Sequence, residues 1–258
     1  MTQLGSTHVR ATGAGTPLVL IHGVGLDLEI WEPLVPRLQQ GRRVIRYDMQ
    51  GHGLSEKPSG PYHLADFVSQ FDRLAGALGL DRFDVAGFSL GALVAAAFTA
   101  QCPARVTRLA MVSSIYDRNP AQRAAVAQRL AQVEAGEIDS SIAAAIERWL
   151  TPGFRASRPD AAIAIQQRLR TNDRAAYLAS YRVFATADPE IIAAVERIRC
   201  PTLVLTGEED VGSTPAMARA LAARLPDATL AILPGLRHLP MIEAPEKVAD
   251  ALDRFFVL

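Results

Sequence analysis

Residues 87–91 read Gly87-Phe88-Ser89-Leu90-Gly91, a serine with a glycine two positions away on each side. A serine hydroxyl is a weak nucleophile at neutral pH. It gains power from an adjacent base that is itself oriented by an acid. The apolar run "FDVAGF" stops at Ser89 and a helical pattern starts at Leu90. In that setting a serine sits on a tight strand-to-helix bend with its hydroxyl exposed. Side chains at 87 and 91 would collide as strand and helix close together, which suits glycine. The alternative use of the same residue is as a helix N-cap.

Five histidines are available as the base. His8 lies in an N-terminal segment, His22 ends an apolar run, His52 sits in "QGHGLS" and His63 begins a helical pattern. His238 lies in "LPGLRHLPMIEAP", just beyond the last predicted strand. Strand ends of one polarity gather on one side of a parallel sheet, so His238 is expected to meet Ser89 at the carboxyl edge. The acid should follow an intervening strand. "LVLTGEEDVGS" offers Glu208, Glu209 and Asp210 there, and Asp117 follows an earlier strand. Acyl transfer also needs donors for the oxyanion. The backbone N–H of Leu90, at a helix start, supplies one. The N–H of Val24, in the "HGVG" that follows "PLVLI", supplies the other.

The elements that must position these residues are short apolar runs without alternation: 17–23, 42–48, 83–89, 106–114, 201–207 and 228–235. Strands apolar on both faces belong in a covered, mostly parallel sheet. Helical patterns lie between them, so the order strand, helix, strand predicts a doubly wound α/β fold. "HVRAT" is expected to add a short antiparallel strand at the edge. Between residues 116 and 195 four helical stretches follow one another without a strand. Residues 116–195 therefore read as an inserted helical cap, and 1–115 with 196–258 as the core domain.

Lys plus Arg and Asp plus Glu each number 27 among 258 residues. The zero net charge points away from nucleic acid or an anionic membrane and toward a small-molecule partner. No run reaches the roughly 18 apolar residues of a membrane span, and no leader pattern opens the chain, so a cytoplasmic location is expected. Cys102 and Cys200 each precede a proline outside any metal-like spacing and are expected to be free thiols.

With "HGVG", "YDMQGHGLSEKP", "GFSLG", "TGEEDVGSTP" and "GLRHLPMIEAP" in this order, the chain resembles the α/β-hydrolase superfamily along essentially its whole length. The resemblance implies the chain order Ser89, Asp210, His238 for the triad. It implies a helical cap over the pocket and neither metal nor organic cofactor. Within the superfamily, "GPYHLADF" and "GSTPAMARAL" look most like 3-oxoadipate enol-lactonases, which open a small lactone formed during aromatic degradation. Gln50 and Ala92 stand where many relatives have arginine and a third glycine.

The expected activity is hydrolysis of a small carboxylic ester or lactone through an acyl-serine. The alternatives are hydrolytic carbon–carbon cleavage of a ring-opened aromatic intermediate, amide or thioester hydrolysis, and a ligand sensor that keeps the fold. In the cap, Trp149 and one of Arg148, Arg155 or Arg182 are expected to face the substrate, the arginine pairing with a carboxylate. In the opposing expectation, Trp149 and Tyr181 pack helices together and the arginines are solvated.

Overall fold

The computed structural model describes residues 2–4 and 6–257. Eight strands form one sheet: β1 (Thr2–Leu4), β2 (Thr7–Thr12), β3 (Thr16–Ile21), β4 (Arg42–Tyr47), β5 (Phe83–Phe88), β6 (Val106–Val112), β7 (Thr202–Gly207) and β8 (Ala228–Leu233). Their spatial order is β1-β2-β4-β3-β5-β6-β7-β8. From β4 to β8 every pairing is parallel, whereas β2 runs antiparallel to both β1 and β4. The "HVRAT" strand is therefore antiparallel, as expected, but it is not the edge. That place belongs to β1, whose three residues pair only with β2.

The helices are α1 (Val35–Leu38), α2 (Leu64–Ala77), α3 (Leu90–Gln101), α4 (Pro120–Glu134), α5 (Ile138–Trp149), α6 (Pro152–Ser157), α7 (Pro159–Arg170), α8 (Arg174–Thr186), α9 (Asp188–Val195), α10 (Pro215–Arg224), α11 (Pro240–Glu243) and α12 (Pro245–Val257). A 3-10 helix, Leu28–Leu34, precedes α1. Every residue of β5 and of β7 is buried, which is why these strands read as unbroken apolar runs. The helix α3 is apolar all round because it is enclosed, lying on β5 and β6 beneath α2 and α9. By contrast α12 is amphipathic and buries Val248, Leu252, Phe255 and Phe256 against the other face of the sheet. Each such fully buried side chain contributes roughly 1.5–3 kcal/mol.

Six helices, α4 to α9, lie between β6 and β7, two more than the four stretches read from the sequence. The extra ones are α6, six residues long, and α9, eight residues that start at Asp188-Pro189. These six helices feed both cores. Ala176, Ala179, Tyr181 and Val183 of α8 join the core on one side of the sheet. Ile142 and Ile146 of α5 and Ile165 and Leu169 of α7 join the core on the other. The helical segment is thus pinned across the carboxyl end of the sheet, where the loops after β3, β5, β7 and β8 emerge. Among the described residues no helix is long and apolar enough to cross a membrane. Cys102 and Cys200 are both unbridged.

Candidate active site

Ser89 is the hinge between β5 and α3, with φ 53° and ψ −116°. A non-glycine residue held there costs of order 1–3 kcal/mol, so the surroundings must impose it. They do so from both sides: the Ser89 N–H donates to the Val112 carbonyl at 2.9 Å, and its carbonyl accepts from Ala92 at 3.0 Å. A Cβ on Gly87 would strike the Gly91 carbonyl, and one on Gly91 would strike the carbonyls of Ile21 and His22. The Ser89 side chain makes no helix-capping hydrogen bond, which removes the N-cap alternative.

Asp210 lies three residues after β7, is 2% exposed, and is fixed from two directions. Its Oδ1 accepts from the N–H groups of Gly212 at 2.8 Å and Ser213 at 2.9 Å. Its Oδ2 is 2.7 Å from Nδ1 of His238. A carboxylate only accepts, so Nδ1 carries a proton, and in the neutral ring Nε2 is the nitrogen with the free lone pair. The His238 ring sits between Phe88 at 5.1 Å and Trp149 at 6.0 Å, centroid to centroid. Its loop passes close over the end of β7, where any side chain at Gly207 would strike the carbonyls of Leu236 and Arg237. Asp117, the other carboxylate considered from the sequence, is exposed and pairs with neither His238 nor Ser89.

One cavity is lined by Val24, Ser89, Asp210 and His238 from the sheet edge and by Arg148 and Trp149 from α5. Gly23 to Leu26 form a turn closed by the Leu26 N–H on the Gly23 carbonyl at 3.3 Å, which carries Val24 to the cavity. Leu90, the first residue of α3, is one of the four N-terminal N–H groups a helix leaves without an internal partner. Two expected residues do not reach the cavity. Arg182 is exposed on α8 and pairs with Glu134 of α4 at 2.8 Å, and Arg155 lies on α6 outside the lining. Trp149 combines the two expectations for it, packing on the core and facing His238.

Several residues contribute that were not expected at the cavity, Tyr181 having been expected only to pack helices and His22 only weighed as the base. Arg118 and Arg129 also line the cavity, with Tyr177 and Tyr181. Glu243 joins the helical segment to the His238 loop, one carboxylate oxygen accepting from Thr151 N–H and the other from Arg237 N–H, each at 2.7 Å. The Leu239 N–H adds a bond to the Trp149 carbonyl at 3.1 Å. His22, buried beside the Val24 turn, accepts from Met49 N–H on Nε2 at 2.9 Å and so donates from Nδ1 to the Gly23 carbonyl at 2.8 Å. Burial lowers the pKa of His22 and of the neighbouring His52, keeping both rings neutral. The signal that could have found Glu243 is its place five residues after His238; for His22 it is adjacency to the turn. Among the described residues no group of three or more His, Cys, Asp or Glu side chains is arranged to hold a metal ion.

The model of the Alpha/beta hydrolase family matches residues 18–251. The (E)-2-((N-methylformamido)methylene)succinate hydrolase of Acinetobacter baylyi is 33% identical over 96% of this chain and 92% of its own length. The 3-oxoadipate enol-lactonase 2 of the same organism is 25% identical over 92% of this chain and 86% of its own. Among solved structures, the enol-lactonase from Burkholderia xenovorans LB400 superposes with a TM-score of 0.90 at 26% identity, covering 98% of this chain and 96% of that one.

Proposed function

Given that the chain belongs to the alpha/beta hydrolase family, we propose that it hydrolyses a small carboxylic ester or lactone through an acyl intermediate on Ser89. The observation that carries this reading is the strained elbow of Ser89 opening into the same cavity as a His238–Asp210 pair. Nε2 of His238 takes the Ser89 proton as Oγ attacks the carbonyl carbon. The N–H groups of Val24 and Leu90 receive the oxyanion. As the tetrahedral species collapses, His238 returns the proton to the leaving oxygen. It then takes a proton from water as the water oxygen attacks the acyl carbon, and returns that proton to Ser89 Oγ when the second tetrahedral species collapses and frees the acid. Asp210 keeps the imidazole in the Nδ1–H tautomer and stabilises its charged form. In a lactone the leaving hydroxyl stays tethered until deacylation.

The enol-lactonase relatives support the lactone branch of this reading. A second reading, cleavage beside an amide nitrogen, is favoured by the relative that hydrolyses an N-methylformamido succinate derivative. The test is a substrate panel of a chromogenic short-chain ester, an enol-lactone, an N-formyl enamine and a ring-cleavage diketone, run with the parent and Ser89→Ala. Turnover of an ester or lactone that drops by about 10⁴-fold or more in the variant supports the proposal. Exclusive turnover of another member, or variant rates within tenfold of the parent, overturns it.

A further inference from the structure

The cavity holds three guanidinium groups, and they are not alike. Arg118 is already ion-paired: both oxygens of buried Asp188 accept from its Nε and Nη2, at 2.6–3.1 Å, and the carbonyls of Phe184 and Ala185 also accept from Nη2. Its charge is cancelled within the protein. Arg129 of α4 and Arg148 of α5 lie along the same lining, and among the described residues neither is in an ion pair. The Nε of Arg129 reaches only the Tyr181 hydroxyl, at a long 3.4 Å. Burial first, then the charge of Arg129, hold the pKa of Arg148 below its ordinary value, and exposed Glu147 is the weakest of the influences that oppose them. Two half-buried like charges on one cavity lining without an anion repel each other, and a protein keeps such an arrangement at a cost. A carboxylate placed between them relieves both the repulsion and the desolvation. Guanidinium forks match carboxylate geometry better than a point charge does.

We propose that the substrate of this site is an anion, and that a carboxylate remote from the scissile carbonyl is held between Arg129 and Arg148. The inference rests on the hydrolase reading above for the word substrate, and on the cavity lining alone for the anion. Arg129 and Arg148 line the same cavity as Ser89 and His238, so the clamp and the reacting end share one chamber. The substrate class is the half-ester or lactone of a short dicarboxylic acid, with one acid group at Ser89 and the other between α4 and α5. These arginines are specificity determinants that leave the chemical step to the triad.

The experiment compares mono-p-nitrophenyl glutarate with its neutral methyl ester as the ratio of kcat/KM values. In Arg148→Met and Arg129→Met this ratio falls tenfold to a hundredfold, and the double variant falls by less than the product because both groups share one carboxylate. Arg182→Met, which removes an exposed arginine paired with Glu134, leaves the ratio unchanged. Calorimetric titration of glutarate into Ser89→Ala shows binding that weakens by the same factor when Arg148→Met is added. Arg148→Lys, which keeps the charge and disturbs packing least, loses part of the preference and guards against a variant that fails to fold. A ratio that does not move in the arginine variants, with glutarate binding unaffected, overturns the clamp while leaving the hydrolase reading intact. Arginine-dependent glutarate binding with no turnover of either ester keeps the clamp and defeats the hydrolase reading instead.

Discussion

Two buried Asp–His pairs of nearly the same construction occupy different parts of the sheet. Asp48 follows β4 as Asp210 follows β7, and each carboxylate accepts from two backbone N–H groups: Leu28 and Leu54 for Asp48, Gly212 and Ser213 for Asp210. Each also meets an imidazole Nδ1, that of His8 at 2.8 Å and that of His238 at 2.7 Å. The histidines are equally hidden, 8% and 6% exposed. The difference lies at the other nitrogen. Nε2 of His8 is buried without a hydrogen-bond partner, whereas His238 faces a cavity that also holds Ser89. An oriented imidazole is therefore not a catalytic base by geometry alone; it becomes one when its second nitrogen is offered to a nucleophile. At Asp48 the same three acceptor bonds tie β2 to the start of the 3-10 helix and to the loop of Leu54, which is a structural task.

The comparison breaks most directly under one chemical change made at both places. Asp210→Asn lowers kcat by about 10³- to 10⁴-fold, because the amide favours the wrong tautomer of His238. Asp48→Asn leaves kcat far closer to the parent and costs about 2 kcal/mol of stability in urea titration, since one acceptor oxygen becomes a donor facing buried N–H groups. Equal losses of kcat in the two variants would erase the distinction between the pairs.

A third buried carboxylate sharpens the contrast by having too few donors. Burial raises the pKa of Asp84, at the start of β5, to about 6 despite the nearby Arg108 and Arg42. The folded state thus holds a proton on Asp84 between pH 3.8 and about 6 that the unfolded chain has released. Its penalty is absent at low pH and grows as pH rises through that window. Asp84→Asn accordingly raises stability at pH 8 by up to about 3 kcal/mol and changes it little at pH 4. A melting-temperature series across pH 4–8 reads this, and a gain independent of pH would contradict it.

The smallest effect is expected at Glu243, which holds the His238 loop without touching the reacting atoms. Glu243→Gln keeps one acceptor and loses the other, so kcat falls by about tenfold, roughly 1.4 kcal/mol of positioning. The pH profile keeps its shape, because no titrating group of the site is removed.

What could be read before the structure follows the same division. The strands β3 to β8 were legible because β5 and β7 are buried on both faces and carry no alternation. The elbow was legible because only glycines tolerate the contacts at 87 and 91. The strand β1 was not, since "TQL" is three residues of mixed polarity whose pairing is set by β2. The arginines divided badly: Arg148 reaches the cavity, but Arg129 stands where Arg155 and Arg182 had been expected. Alanine surrounds α4 on nearly every side, so its sequence does not say which face packs on α5 and α8 and which meets the pocket. A short helix such as α6 has too few residues to show any face at all.

On the proposed mechanism Ser89 carries a covalent acyl intermediate. This is tested most directly by treating the protein with a p-nitrophenyl alkylphosphonate and mapping the adduct by peptide mass spectrometry. One phosphonyl group per chain is expected, on Ser89, gained in step with the loss of ester turnover and absent in Asp210→Asn over the same time. Stoichiometric labelling of another residue, or full inactivation with Ser89 unmodified, would contradict it.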